Sequence, residues 1–130
     1  MSVSFPEQFN MANYFLDDRI QEGKGNSVAV YFEDKQFTYR EVQQMANRCG
    51  NALVSLGIEM EDRVLMVLPD SIEFVAAWHA IAKVGAVVTM VNTILPTADY
   101  EYYLDYTRAK VAIVDVSVMN RFAPAAARSR

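Results

Sequence analysis

Apolar positions recur along this chain at two periods and in a few unbroken runs, and the switches between them mark its elements. Asn10 stands as an N-cap before Tyr14, Phe15 and Ile20, a helical spacing that ends at Gly23-Lys24-Gly25-Asn26. Two short stretches, Ser27 to Phe32 and Gln36 to Thr38, flank the polar turn Glu33-Asp34-Lys35 and predict a hairpin. Thr38-Tyr39-Arg40-Glu41 has capping-box spacing, a hydroxyl and a carboxylate each able to satisfy one free backbone N–H. Behind it Val42, Met45, Ala46, Cys49, Leu53 and Leu56 form an apolar stripe, and Gly57 sits where a left-handed cap is wanted. Gln43, Gln44, Asn47, Arg48, Asn51 and Ser55 fill the opposite face, so this is an amphipathic surface helix.

The second half changes character. Arg63 to Leu68 is a continuous apolar run ended by Pro69, the pattern of a strand buried on both faces. Asp70 or Ser71 caps a nearly all-apolar helix, Ile72 to Val84, closed by Gly85. Val87 to Val91 predicts another buried strand and Asn92 to Pro96 a loop. Thr97 caps a Tyr-rich helix ending near Thr107, Lys110 to Val116 is a further strand, and Ser117 opens a last helix into Ala-Ala-Ala-Arg-Ser-Arg. The order strand, helix, strand, helix, strand predicts an α/β fold with a mostly parallel sheet flanked by helices, preceded by an N-terminal hairpin.

Composition narrows the function classes. Twelve basic and sixteen acidic residues give a net charge of −4, and no block of Lys and Arg offers phosphate neutralisation, so no nucleic acid is expected as partner. The single cysteine, Cys49, closes no internal disulfide and leaves no Cys cluster for zinc; it is expected to behave as a small buried hydrophobe. Met1 to Phe9 has no signal-peptide pattern, and the longest apolar run, Val84 to Val91, is far short of a membrane span. A soluble, cytoplasmic protein with no membrane partner is expected.

The candidate chemistry is sparse. His79 is the only histidine, and it shares a helical face with Lys83; a polar stripe on a mostly buried helix is the simpler reading. Trp78 is assigned to the core. Gly23-Lys24-Gly25 lacks the preceding strand and the Gly-Lys-Ser/Thr ending of a phosphate loop. Tyr100, Tyr103, Leu104 and Thr107 fall on one helical face and are assigned to packing against the sheet. The acidic residues Asp17, Asp18, Glu59, Glu61, Asp62, Asp99 and Glu101 sit at helix ends or in loops, not as acid–base pairs. No catalytic, cofactor-binding or metal-ligating residue is assigned, and Trp78, His79 and Asn92 stay open as ligand contacts in an intact enzyme.

The ordered segments nonetheless resemble a family. Phe37-Thr38-Tyr39-Arg40-Glu41-Val42, then Asp62-Arg63-Val64 to Leu68-Pro69-Asp70-Ser71-Ile72-Glu73-Phe74, then Lys83-Val84-Gly85-Ala86-Val87, look like the early elements of AMP-forming acyl- and aryl-CoA ligases. Asn92 to Tyr100, with Tyr103-Leu104 and Arg108-Ala109, is similar to the benzoate-CoA ligase branch, and the likeness runs from about Phe9 to Val116. Glu61 departs from it, standing where the family often has Gly, as does Met90 near a position where many relatives have Pro. The resemblance implies ATP, Mg²⁺ and coenzyme A as cofactors of the intact enzyme and an aromatic carboxylate as substrate. Adenylation gives the carboxylate a leaving group, and coenzyme A then takes the acyl group as a thioester. The family's Lys-bearing phosphate loop, adenine- and ribose-binding segments and small C-terminal domain come later and have no counterpart here. Residues 1–130 are therefore expected to be an incomplete N-terminal subdomain, a scaffold that is inactive alone and binds none of the cofactors tightly. An open sheet edge and uncovered apolar helix faces imply homo-oligomerisation. The alternative is an autonomous, self-associating interaction or regulatory module derived from the ligase fold.

Overall fold

Asn10 opens the first helical stretch as its side chain predicts, Oδ1 accepting from the backbone N–H of Ala12 at 2.9 Å and of Asn13 at 3.3 Å. In this computed structural model, which describes residues 6–129, the stretch winds partly as π-helix, over Asn13–Asp17 and again over Ile20–Lys24. Strands β1 (Val28–Phe32) and β2 (Lys35–Thr38) pair antiparallel with Phe32 opposite Lys35. The connecting turn is Glu33-Asp34, one residue tighter than predicted, and Glu33 takes φ +51°. Thr38 completes the capping box: Oγ1 accepts from Glu41 N–H at 3.3 Å while the Glu41 carboxylate accepts from Thr38 N–H at 2.8 Å. Helix α1 (Tyr39–Ser55) then buries Val42, Ala46, Gly50 and Leu53 on one stripe. Leu56, placed on that stripe by spacing, is exposed, because it lies past the last full turn where Gly57 at φ +81° redirects the chain.

Strand β3 (Arg63–Val67) is the centre of the molecule. Its alternation sends Val64 and Met66 into a core with Leu16, Val42, Leu53, Ala80 and Ile81. Leu65 and Val67 enter a second core with Tyr100, Val118, Phe122 and Ala125. Ser71 caps helix α2 (Ile72–Lys83), accepting from Phe74 N–H at 3.1 Å. Strand β4 (Val87–Met90), helix α3 (Thr97–Thr107) and strand β5 (Val111–Val114) follow. A 3₁₀ turn (Val116–Val118) and helix α4 (Met119–Ala126) complete the chain. The sheet order is β4-β3-β5, all parallel, with Val64 opposite both Val88 and Val111. This is the α/β fold the element order predicts, hairpin included.

Four expectations are corrected. Strand β4 is not buried: among the described residues it pairs with β3 alone, and Val87 and Met90 are exposed at its edge. Helix α3 begins at Thr97 with Pro96, not Thr97, at the cap position; Pro96 already holds the extended φ and ψ a cap needs. The last strand stops at Val114 because the Asp115 carboxylate accepts from Ser117 N–H at 2.9 Å and turns the chain, so Ser117 lies inside the 3₁₀ turn. The apolar surface of α2 is not left bare, since α1 packs along it and only Glu73 in α2 is exposed. The readings on Met1 to Phe5 and on Arg130 lie outside the described residues.

Candidate functional site

In the order β4-β3-β5 the chain moves to one side of β3 and then crosses to the other, so its direction reverses between β3 and β5. In open parallel sheets the crevice for ligands lies outside the carboxyl ends of the strands at such a reversal. A groove of about 480 Å³ occupies that place, between the side of α1, the first turns of α2 and the end of β5. Met45, Cys49, Ala76 and Ile113 make it largely apolar, and Arg48, Glu73 and Asp115 bring charge to it. Its size is that of a small-molecule or side-chain cleft.

The polar groups differ in what they have left to offer. Ser71 is committed as the α2 cap. Asp115 accepts from both the N–H and the hydroxyl of Ser117, and those bonds hold its carboxyl below the usual aspartate range. Burial pushes the half-buried Cys49 thiol up, which disfavours the thiolate and leaves a poor nucleophile. Arg48 and Glu73 are exposed, on α1 and at the start of α2. The groove thus combines an apolar floor with charges of both signs, a lining suited to binding. A second cleft of about 480 Å³ lies across β3 at the ends of β3 and β4, lined by Pro69, Asp70, Asn92 and Thr93.

The residues singled out by the sequence fall mostly outside these clefts. His79 Nδ1 lies 2.8 Å from the Val75 carbonyl, and its ring meets Trp78 edge-on at 5.1 Å. Lys83 does not join it: its ammonium donates to Asp17 at 2.9 Å and to Asn47 at 2.8 Å, tying the first helical stretch to α1 and α2. Trp78 packs half-buried against the first core, as assigned. Asn92 does border the second cleft, but its Oδ1 accepts from Ile94 N–H at 3.1 Å and its carbonyl accepts from the Tyr100 hydroxyl at 3.0 Å. Gly23 takes φ +86° and leads out of the helix.

The tyrosines divide. Tyr100 is fully buried and Thr107 nearly so, but Tyr103 is exposed, which corrects the single packed face. Tyr102 and Tyr106 stack at 5.6 Å in solvent. Of the acidic residues, Asp17 is held by Lys83 and Asp62 takes a hydrogen bond from Lys110 at 2.8 Å, a bond that holds the Asp62 carboxyl below the usual range. Among the described residues no three His, Cys, Asp or Glu side chains converge as a cation site. Sequence reasoning passed over Arg48 and Glu73 as site residues. Their partners in the groove come from three distant segments, and no local spacing signals that.

Comparison with known proteins gives these features a context. The family described as "AMP-binding enzyme" matches residues 16–129. Benzoate–CoA ligase of Thauera aromatica is 36% identical over 125 residues, which is 95% of this chain and 24% of that protein. The 4-hydroxybenzoate–CoA/benzoate–CoA ligase of Rhodopseudomonas palustris is 34% identical over 104 residues, 79% of this chain and 19% of that one. Among solved structures, the anthranilate CoA ligase AuaEII in complex with anthranoyl-AMP superposes with a TM-score of 0.88 at 32% identity, over 95% of this chain and 23% of its own. A benzoate CoA ligase from Burkholderia xenovorans LB400 gives 0.86 at 29% identity, over 94% and 24%. The chain therefore spans about a quarter of the length of these relatives.

Proposed function

This chain belongs to the AMP-binding enzyme family, and on that premise we propose that it forms the scaffold portion of an AMP-forming aryl-CoA ligase of benzoate type. The observation that carries the proposal is the 36% identity to benzoate–CoA ligase sustained over 95% of the chain. The intact protein would join an aromatic carboxylate to the α-phosphate of ATP, releasing pyrophosphate. The coenzyme A thiolate would then attack the acyl carbonyl and expel AMP, leaving a thioester. A carboxylate is a poor electrophile, and AMP supplies the stabilised leaving group.

The contribution of residues 6–129 is positional. They supply a parallel sheet with an apolar layer on each face, and a groove at its carboxyl edge. The described residues hold no carboxylate cluster suited to Mg²⁺. The 130-residue chain by itself is inactive in this reading and self-associates through exposed surface.

A coupled assay for AMP formation tests it, with ATP, Mg²⁺, coenzyme A and benzoate. The 130-residue chain is run beside the longest protein its gene encodes. Benzoate-dependent AMP from the longer protein alone is the expected result. ATP–pyrophosphate exchange by the 130-residue chain overturns the scaffold assignment, and preference of the longer protein for an aliphatic acid overturns the benzoate assignment.

A further inference from the structure

Strand β4 leads into α3 through residues 92–96, and the first two of these, Asn92 and Thr93, form one wall of the second cleft. Pro69 and Asp70, after β3, form the other. The two loop carbonyls are held by side chains from later elements. The Tyr100 hydroxyl of α3 donates to the Asn92 carbonyl at 3.0 Å, and Arg121 Nη2 of α4 donates to the Thr93 carbonyl at 2.8 Å. Both donors are set by the second core. Tyr100 is fully buried in it, and its ring meets that of Phe122, the neighbour of Arg121 on α4, at 5.5 Å. Leu95 packs against the same core, and Asn92 Oδ1 accepts from Ile94 N–H at 3.1 Å to close a short turn. Peptide units are planar, so fixing two successive carbonyls fixes two planes and the directions in which the Asn92 and Thr93 side chains leave the chain.

We propose that Tyr100 and Arg121 are positioning residues, which hold Asn92 and Thr93 in place as a cleft wall before substrate arrives. In an open parallel sheet ligands bind outside the carboxyl ends of the strands, and this loop stands at that edge. The ladder between β3 and β4 reaches as far as Val91, whose N–H donates to the Met66 carbonyl at 2.9 Å. Past Val91 the ladder no longer orders the chain, and the bonds from α3 and α4 take over. A wall ordered beforehand loses less conformational freedom when a ligand binds, which favours affinity. Neither Tyr100 nor Arg121 lines the cleft, so each acts through the loop and not on the reacting atoms. Helices α3 and α4, on the face away from α1 and α2, thereby gain a part in substrate binding.

The inference rests on the ligase reading and deepens it by naming residues that set its site from a distance. The test compares Tyr100→Phe, Arg121→Ala and Arg121→Lys in the longest protein the gene encodes, by steady-state kinetics and hydrogen exchange. Loosening the loop lowers the fraction of enzyme with its wall in place, and apparent affinity falls by that fraction. Tyr100→Phe and Arg121→Ala are each expected to raise the KM for at least one of benzoate, ATP and coenzyme A about fivefold, with kcat nearly unchanged. Exchange at the Ile94 amide is expected to quicken about fivefold in the same two variants. Arg121→Lys keeps a donor for the Thr93 carbonyl and is expected to match the parent in both readouts. A role in fold stability alone would lower the amount of active enzyme, and so kcat, and leave every KM in place. Faster exchange with all three KM values unchanged overturns the positioning role, and unchanged exchange overturns the fastening itself. A parent that forms no AMP with benzoate overturns the proposed function alone. Exchange on that same protein then decides the fastening, faster rates supporting it and unchanged rates overturning it.

Discussion

Glu61 holds a backbone conformation that favours glycine. It sits at φ +67°, where its N–H donates to the Gly85 carbonyl at 2.9 Å and joins the turn before β3 to the turn after α2. A non-glycine residue in this region carries a steric penalty of roughly 1–2 kcal/mol, which glycine would not incur. Glu61→Gly is therefore expected to stabilise the fold by about 1 kcal/mol, with part of the gain offset by the freer unfolded chain. Thermal unfolding reads it as a rise of about 3 °C, and a fall would mean the carboxylate has a structural role of its own. One position on, Asp62 and Lys110 set the pH response of the same junction. The Lys110 hydrogen bond lowers the Asp62 carboxyl from its ordinary 3.8, so its contribution is complete above that value and lost as pH falls through the lower folded one. The Asp62 bond raises Lys110 from its ordinary 10.5, so that contribution is complete below 10.5 and lost as pH rises through the higher folded value. The urea midpoint of the parent minus that of Asp62→Asn is expected to be flat between about pH 5 and 9 and to shrink at both ends. A difference that grows on acidification would contradict the pairing.

Elements whose start and stop are written in neighbouring residues were legible, and those decided at a distance were not. The Thr38–Glu41 box lies within four residues, both of its backbone groups are satisfied, and helix α1 begins where it predicts. Thr38→Ala removes one of the two bonds and is expected to cost about 1 kcal/mol in equilibrium unfolding; a change under a few tenths would mean that packing of α1 on α2 fixes the helix start unaided. The apolar run of β3 likewise gave a strand buried on both faces. The same logic failed for β4, since Val87 to Met90 has an equally apolar composition and burial there depends on whether another strand lies alongside. Tyr103 missed the core because it flanks the stripe that Tyr100 and Thr107 centre. The groove was illegible for a related reason: Arg48 belongs to the polar face of α1, Glu73 opens α2 and Asp115 ends β5, and only the crossing from β4 to β5 brings them together. The family was legible because it rests on the order of several short segments, each weak alone.

On the scale of the whole molecule, and among the described residues, β3 is the one element that gives fully buried side chains to both hydrophobic cores. Val64 and Met66 belong to the core under α1 and α2, and Leu65 and Val67 to the core under α3 and α4. Neighbouring side chains on this strand point to opposite faces, so a cavity on one face leaves the other's packing in place while the hydrogen-bonded strand joins both into one folding unit. Leu65→Ala opens the second core and is expected to cost about 2–5 kcal/mol, and Ile81→Val trims the first by about 0.5–1.5 kcal/mol. Because the two sites share no side-chain neighbours, the double variant should equal the sum of the singles within about 0.5 kcal/mol. Val64→Ala with Ile81→Val, both in the first core, is the same-face comparison and should depart from additivity by more. All variants should unfold in a single transition with an unchanged denaturant slope, since losing either core exposes β3 to solvent. Strong coupling between Leu65→Ala and Ile81→Val would instead mean that strain crosses the sheet, so that the groove at its carboxyl edge responds to packing on the far side. Two transitions would mean that each layer folds without the other, and that β3 is a seam between two units.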